Sequence, residues 1–325
     1  MKLGSLKSNS KDGELVVISR DLKWVARASH IAPNLLNAVE NWDRVSSQLQ
    51  ALSDQLNGGA VQNAMPYDEN QFRSALPRTW LFADGSAFIH HIRLVRKARK
   101  ADVPETLLTV PLMYQAESGS FHDPISNLPQ VDFSHGTDFE AEVGVIVSDV
   151  EMGITPEAAL NKIKLIVLIN DVSLRGLIPQ ELAQGFGFFQ SKPVKTLSPL
   201  AVTPDELGPA WKEGRLHLPL DVSWNGKFFG KANAGQMHFH FGQLIAHAAK
   251  TRNLAAGSLI GSGTVSNEDA SVGSSCIVEK RTLEQIETGK PETEYMKLGD
   301  TVEISMKNAD GASIFGRIFQ KVKQI

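Results

Sequence analysis

Cysteine is all but missing: Cys276 is the only one in 325 residues. A lone thiol excludes an intramolecular disulfide framework, and with it any multi-thiolate zinc or iron–sulfur site built by one chain. Long apolar runs are missing as well, and none approaches the ~18 residues that a membrane helix needs. The opening MKLGSLKSNSKDGELVV has lysines but no apolar core of a secretory signal. Basic charge is not in excess. The 33 Lys and Arg stand against 36 Asp and Glu, a formal charge of −3, which argues against a nucleic-acid partner. There is no internal repeat or low-complexity tract. These absences predict a cytoplasmic chain in a reducing compartment, with neither nucleic acid nor membrane as partner.

What is present is globular. Apolar residues make up 42% and charged residues 21%, and a chain of this length buries roughly 75% of its unfolded surface without needing a staple. The length suggests two domains or one large one. Asp12-Gly13 separates Lys2–Leu6 from an apolar run beginning at Glu14, which reads as a hairpin. Leu35, Val39, Trp42, Val45, Leu49, Leu52 and Leu56 then recur every three or four residues between Pro33-Asn34 and Gly58-Gly59, predicting one amphipathic helix. A polar stretch at 63–73 sets a boundary near residue 75. Beyond it come short strands, with Asn225-Gly226 marking a second hairpin, and two helices, one from Thr155 to Lys164 and one from Gly242 to Lys250. The expected architecture is α+β and mostly β: a small N-terminal α/β unit over residues 1–75, and a mixed β-sandwich or roll forming a catalytic domain over 76–325.

Acidic residues carry the chemistry. In DFEAEVGVIV, Asp138 to Val147, strand alternation puts Asp138, Glu140 and Glu142 on one face and Val143, Val145 and Val147 on the other. Same-face carboxylates beside a buried run repel unless a cation lies between them. The apolar strand LIVLIND ends in Asp171, well placed to join the same cation, and Asp84 in LFADGSAFIHH is a candidate fourth ligand. An all-oxygen set selects magnesium, calcium or manganese over zinc. Arg175, and Lys192 and Thr196 beyond the GFGFFQ loop, suit a substrate bearing carboxylate or enolate oxygens. A neutral histidine beside such a site is a candidate general base. Local spacing does not choose between His90 and His91; on an extended segment, one faces the site and the other packs away. His238 and His240 lack a third ligand at a recognised spacing and read as packing residues.

Together these segments resemble the fumarylacetoacetate hydrolase family. DFEAEVGV looks like its paired-glutamate strand, INDVSLRG its Asp/Arg turn, FFQSKPVKTLSP its lysine segment, LIGSGTVSN its Gly-Thr substrate loop, and LGDTVEISMKNADG, Leu298 to Gly311, its closing hairpin. The resemblance implies that Asp84, Glu140, Glu142 and Asp171 bind the metal, with Lys192 and Thr196 near a second, structural cation. It selects His91 as the base, seven residues after Asp84, with Glu279 orienting it, and gives Arg175 and Lys192 catalytic roles. Tyr114, Gln180, Gly263 and Thr264 would bind substrate, while Ser86 and Ile178 stand where well-known members have a Tyr and a Gln. It also implies a homodimer.

The expected activity is metal-dependent hydrolysis of the C–C bond of a 1,3-dicarbonyl acid, with 4-fumarylacetoacetate cleaved to fumarate and acetoacetate. Joint possession of Asp84 and His91 favours this branch over acylpyruvate hydrolysis, oxaloacetate-type decarboxylation or dienol isomerisation. A metal-stabilised binding protein would keep the carboxylates without needing a base.

Overall fold

The computed structural model describes residues 1–98 and 105–325. Its centre is an eleven-stranded mixed sheet. From one edge run Met65–Pro66, Trp24–Arg27, Glu14–Ile18, Lys2–Leu6, Leu200–Val202, Ile163–Asn170, Ala141–Val147, Leu259–Gly261, Phe82–Gly85 and Met113–Ala116, with Thr196–Leu197 also paired to Ile163–Asn170. A five-stranded sheet of Lys227–Asn233, Pro219–Trp224, Thr301–Lys307, Ser313–Gln324 and Ile125–Gln130 packs beside it. The α+β, mostly β expectation holds.

Alternation explains the packing. Val143, Val145 and Val147 share a core with Leu220, Ile304 and Ile318 of the smaller sheet. From the other face Ile146, Leu165, Val167 and Ile169 pack under Leu35, Val39, Val45 and Leu49 of the N-terminal helices. Both predicted hairpins form; at the second, Asn225 and Gly226 both take positive φ, as a two-residue turn of this kind requires.

Four details depart from the sequence reading. The long helix is two helices, Leu35–Glu40 and Trp42–Asn57, because Asn41 leaves helical geometry and its side chain bonds back to the Asn37 carbonyl. Thr155 caps a helix as expected, but Pro156–Leu160 is a single turn and the next strand begins at Ile163, before Lys164. The acidic strand is interrupted: Thr137–Asp138 pairs with Ser173–Leu174, and the central strand starts only at Ala141. Finally, His90 and His91 lie on a helix, Ile89–Ala98, so the two-face argument for an extended segment does not apply to them.

Candidate active site

Three strands of the central sheet deliver the acids, with Leu259–Gly261 lying between the strand of Glu142 and that of Asp84. Glu142 sits opposite Ile169 across the central pair, Asp171 follows directly on the Ile163–Asn170 strand, and Asp84 pairs in register with Tyr114. Asp84 reaches the others by lying over Leu259–Gly261. A Cβ on Gly261 would stand 2.0 Å from its Oδ1, so only glycine fits there. One carboxylate oxygen each from Asp84, Glu142 and Asp171 lies within 4.8 Å of the others.

Fixed cations serve the remaining acids. Lys192 donates from Nζ to Glu140 Oε2 at 2.7 Å and to Asp171 Oδ2. Arg175 donates from Nε to Asp138 Oδ2 at 2.8 Å, and its Nη2 reaches Glu140. Tyr114 shares its hydroxyl proton between the two Asp171 oxygens, 2.9 Å from each. Both oxygens of Glu142 are buried with no hydrogen-bond partner.

The electrostatics follow this division. Burial pushes Asp84 up to about 8, with Asp171 adding to the effect. Glu142 is raised well above the carboxylate range by burial and then by Asp84 and Asp171. At Glu140, burial opposes ionisation, but Arg175 and Lys192 beside it hold its carboxyl well below the usual range. Burial also works against the Lys192 charge, yet Asp171 and Glu140 keep its ammonium above its ordinary value. Two acids thus lack a counter-charge, and a hard divalent cation between them fits the oxygen-only donor set.

The candidate base, His91, is held between two packed helices. His91 Nδ1 lies 2.8 Å from Oε2 of Glu279, which is carried by the helix Ile277–Thr288. A His91 nitrogen also comes within 4.8 Å of a Glu140 oxygen and of the Cys276 sulfur. A cavity of about 310 Å³ opens over these groups. Asp84, His91, Tyr114, Glu140, Glu142, Arg175, Lys192, Gly263 and Thr264 line it.

Not every residue singled out from the sequence lies here. Gln180 is exposed on the helix Ile178–Ala183 and outside the cavity wall, where Ile178 stands instead. Lys192 cannot be a metal ligand through its side chain, because an ammonium has no lone pair to donate. Thr196 is not on the cavity wall; it sits on its two-residue strand, its hydroxyl buried without a partner.

Sequence reasoning noted Asp138 but gave it no role. Its carboxylate accepts from the backbone N–H of Ile277 at 2.7 Å and of Val278 at 2.9 Å, so one buried acid holds both Arg175 and the start of the helix that bears Glu279. Burial raises its pKa, although Arg175 opposes this. Lys195 was overlooked entirely. It is wholly buried and lies against Asp171. Nothing local marks it, since its partner is set by the end of a different strand.

The family model described as "Fumarylacetoacetate (FAA) hydrolase C-terminal" matches residues 81–323, and "Fumarylacetoacetase N-terminal domain 2" matches residues 1–78. The chain belongs to the fumarylacetoacetate hydrolase family. Among curated members, a 2,4-didehydro-3-deoxy-L-rhamnonate hydrolase of Sphingomonas sp. (strain SKA58) is 29% identical over 204 residues, 61% of this chain and 62% of that protein. A fumarylacetoacetase of Caenorhabditis elegans is 27% identical over 216 residues, 58% of this chain and 52% of that protein. The match thus spans between half and two thirds of either relative.

Among solved structures, maleylpyruvate hydrolase from Sphingobium sp. SYK-6 superposes with a TM-score of 0.67 at 14% identity over all of both chains. A 5-carboxymethyl-2-hydroxymuconate delta-isomerase from Mycobacterium smegmatis gives 0.62 at 16% identity, over 100% of this chain and 99% of that one. At such identities the likeness is one of fold. Proteins of this fold thus include both hydrolases and isomerases.

Proposed function

We propose that this family member hydrolyses the C–C bond of a 1,3-dicarbonyl acid with the help of a divalent cation, and that 4-fumarylacetoacetate, split into fumarate and acetoacetate, is its substrate. The observation that carries this reading is His91, held by Glu279 from behind, opening onto the same cavity as the unpaired acids. A binding protein has no use for an oriented base.

Asp84, Glu142 and Asp171 would hold the cation, with Glu140 alongside. Magnesium, manganese or calcium bound there would supply Lewis acidity to the chelated dicarbonyl. Manganese together with pyruvate in one structure of the Sphingobium maleylpyruvate hydrolase supports this assignment. Glu279 accepts the proton of His91 Nδ1 and so leaves Nε2 free to take a proton from water. The hydroxide oxygen bonds to the carbonyl carbon, the C–C bond breaks, and its electron pair leaves on the departing carbon. His91 then returns its proton to that carbon. Arg175 and Lys192 line the cavity and offer N–H donors to the oxyanion.

A second reading, hydrolysis of an acylpyruvate with an apolar acyl group, is favoured by Ile178, Leu112 and Leu182 on the cavity wall, with Gln180 outside it. Chelator-stripped protein should be inactive, and magnesium or manganese should restore turnover. Comparing fumarylacetoacetate with alkyl acylpyruvates under saturating metal separates the two readings; full turnover without metal rules out both.

The proposal includes a homodimer in the cytoplasm. No helix among the described residues is long and apolar enough to cross a membrane. Exposed Val131, Phe189 and Ile325 flank an apolar groove that suits a second copy. Light scattering during size exclusion tests the dimer.

A further inference from the structure

The resemblance leads one to expect a second, structural cation near Lys192 and Thr196. The residues found there do not fit one. Lys192 and Lys195 both aim ammonium groups at the Asp171 carboxylate, one at each oxygen. Lys195 is completely buried. Its Nζ lies 2.8 Å from Asp171 Oδ1 and donates to the Val172 carbonyl at 2.9 Å. A carboxylate oxygen and a backbone carbonyl are the donors a hard ion would need, and here both are already taken by a positive charge.

We propose that the Lys195 ammonium is itself the second cation of this site, built into the chain, and that the protein binds one divalent ion per chain. The balance of charge agrees. With Glu279 set apart as the partner of His91, five buried carboxylates, Asp84, Asp138, Glu140, Glu142 and Asp171, face three fixed cations, Arg175, Lys192 and Lys195. Two negative charges are left over, which a single divalent ion matches. The unmatched acids are Asp84 and Glu142, each with a carboxylate oxygen within 4.8 Å of one on Asp171. A further divalent ion beside two ammonium groups would meet repulsion instead of a charge deficit. Removing Lys195 therefore leaves a vacancy of one positive charge, and a small cation from solution should fill it.

Two variants separate charge from space. Lys195→Ala removes the ammonium and opens room, whereas Lys195→Met removes the charge and keeps the room filled. Breaking a buried pair on one side should lower the melting temperature of either metal-free variant by about 5–10 °C. Potassium or methylammonium should restore much of this loss in Lys195→Ala, leave Lys195→Met unrestored, and have no effect on the wild type. The rescue does not depend on the reaction or on the divalent site, so it stands even if the functional reading fails. The stoichiometry rests on that reading: native mass spectrometry and equilibrium dialysis with manganese should find one ion per wild-type chain. Two ions per wild-type chain, or a Lys195→Ala protein indifferent to every added cation, overturns the proposal. Should Lys195→Ala not fold, the wild-type count alone decides.

Discussion

Glu142 and Asp84 pose the clearest problem at the scale of single residues, because each is a buried acid without a fixed counter-charge. In the metal-free protein the fold favours their protonated forms. For Asp84 the folded value of about 8 lies above the unfolded value of about 4. The sign follows: its contribution to stability is complete below pH ~4 and is lost as pH rises through 8. Metal-free protein should therefore melt at progressively lower temperature between about pH 5 and 8 and level off above that, and saturating magnesium or manganese should flatten that dependence. A melting temperature that rises with pH in the metal-free form would contradict the assignment of Asp84. His91 and Glu279 make a second prediction. His91→Ala should lower kcat by roughly 10²- to 10⁴-fold while metal affinity persists. Since a base and its orienter act as a unit, adding Glu279→Gln should cost little more, and additive losses in kcat would show that the two act separately.

The helix Ile277–Thr288 shows how an element depends on a distant side chain. Its N-cap residue, Cys276, offers no side-chain hydrogen bond, and the first two backbone N–H groups are met by Asp138. A carboxylate suits this position twice over, through hydrogen bonds to otherwise unpaired donors and through the helix dipole. Asp138→Asn keeps one acceptor oxygen but loses the charge that also holds Arg175. It should destabilise the protein by about 1.5–3 kcal/mol, the scale of a hydrogen bond to a charged group. It should also lower kcat with metal affinity kept, since Glu279 and Arg175 lose a shared anchor. Thermal melts and manganese titration check both arms. This element also marks the limit of what the sequence discloses. The strand around Val145 was legible because period-two alternation is local, the one around Leu168 because it is a continuous apolar run, and so were the turns at Asp12-Gly13 and Asn225-Gly226. The helices bearing His91 and Glu279 were not, because the second is capped from 139 positions away in the chain and the first opens without a local capping signal. The acids were visible as a set. Their division, with Glu140 paired to cations and Glu142 unpaired, depends on where Lys192, Lys195 and Arg175 arrive in three dimensions.

At the scale of the whole molecule, the N-terminal strands are part of the same sheet that carries the acids. Lys2, Leu3 and Gly4 pair with Val202, Ala201 and Leu200, and Val202 in turn pairs with Ile166. Lys2 is buried and donates to the carbonyls of Ser313 and Ile314, tying this first strand to the hairpin that closes the chain. The N-terminal helices roof Leu165, Val167 and Ile169, in the strand that leads into Asp171. Residues 1–78 thus act as a cover for the sheet as well as an extension of it. If they are removed, Leu200–Val202 becomes an open edge whose unpaired N–H and C=O groups lie beside bared aliphatic side chains, a template on which a second chain can add its own strand. The fragment 79–325 should therefore self-associate in a concentration-dependent way instead of persisting as a smaller enzyme. A monodisperse, cooperatively melting fragment in light scattering and calorimetry would show otherwise. A cut at this junction, by protease or by truncation, would then remove the protein from solution before its catalysis could be measured.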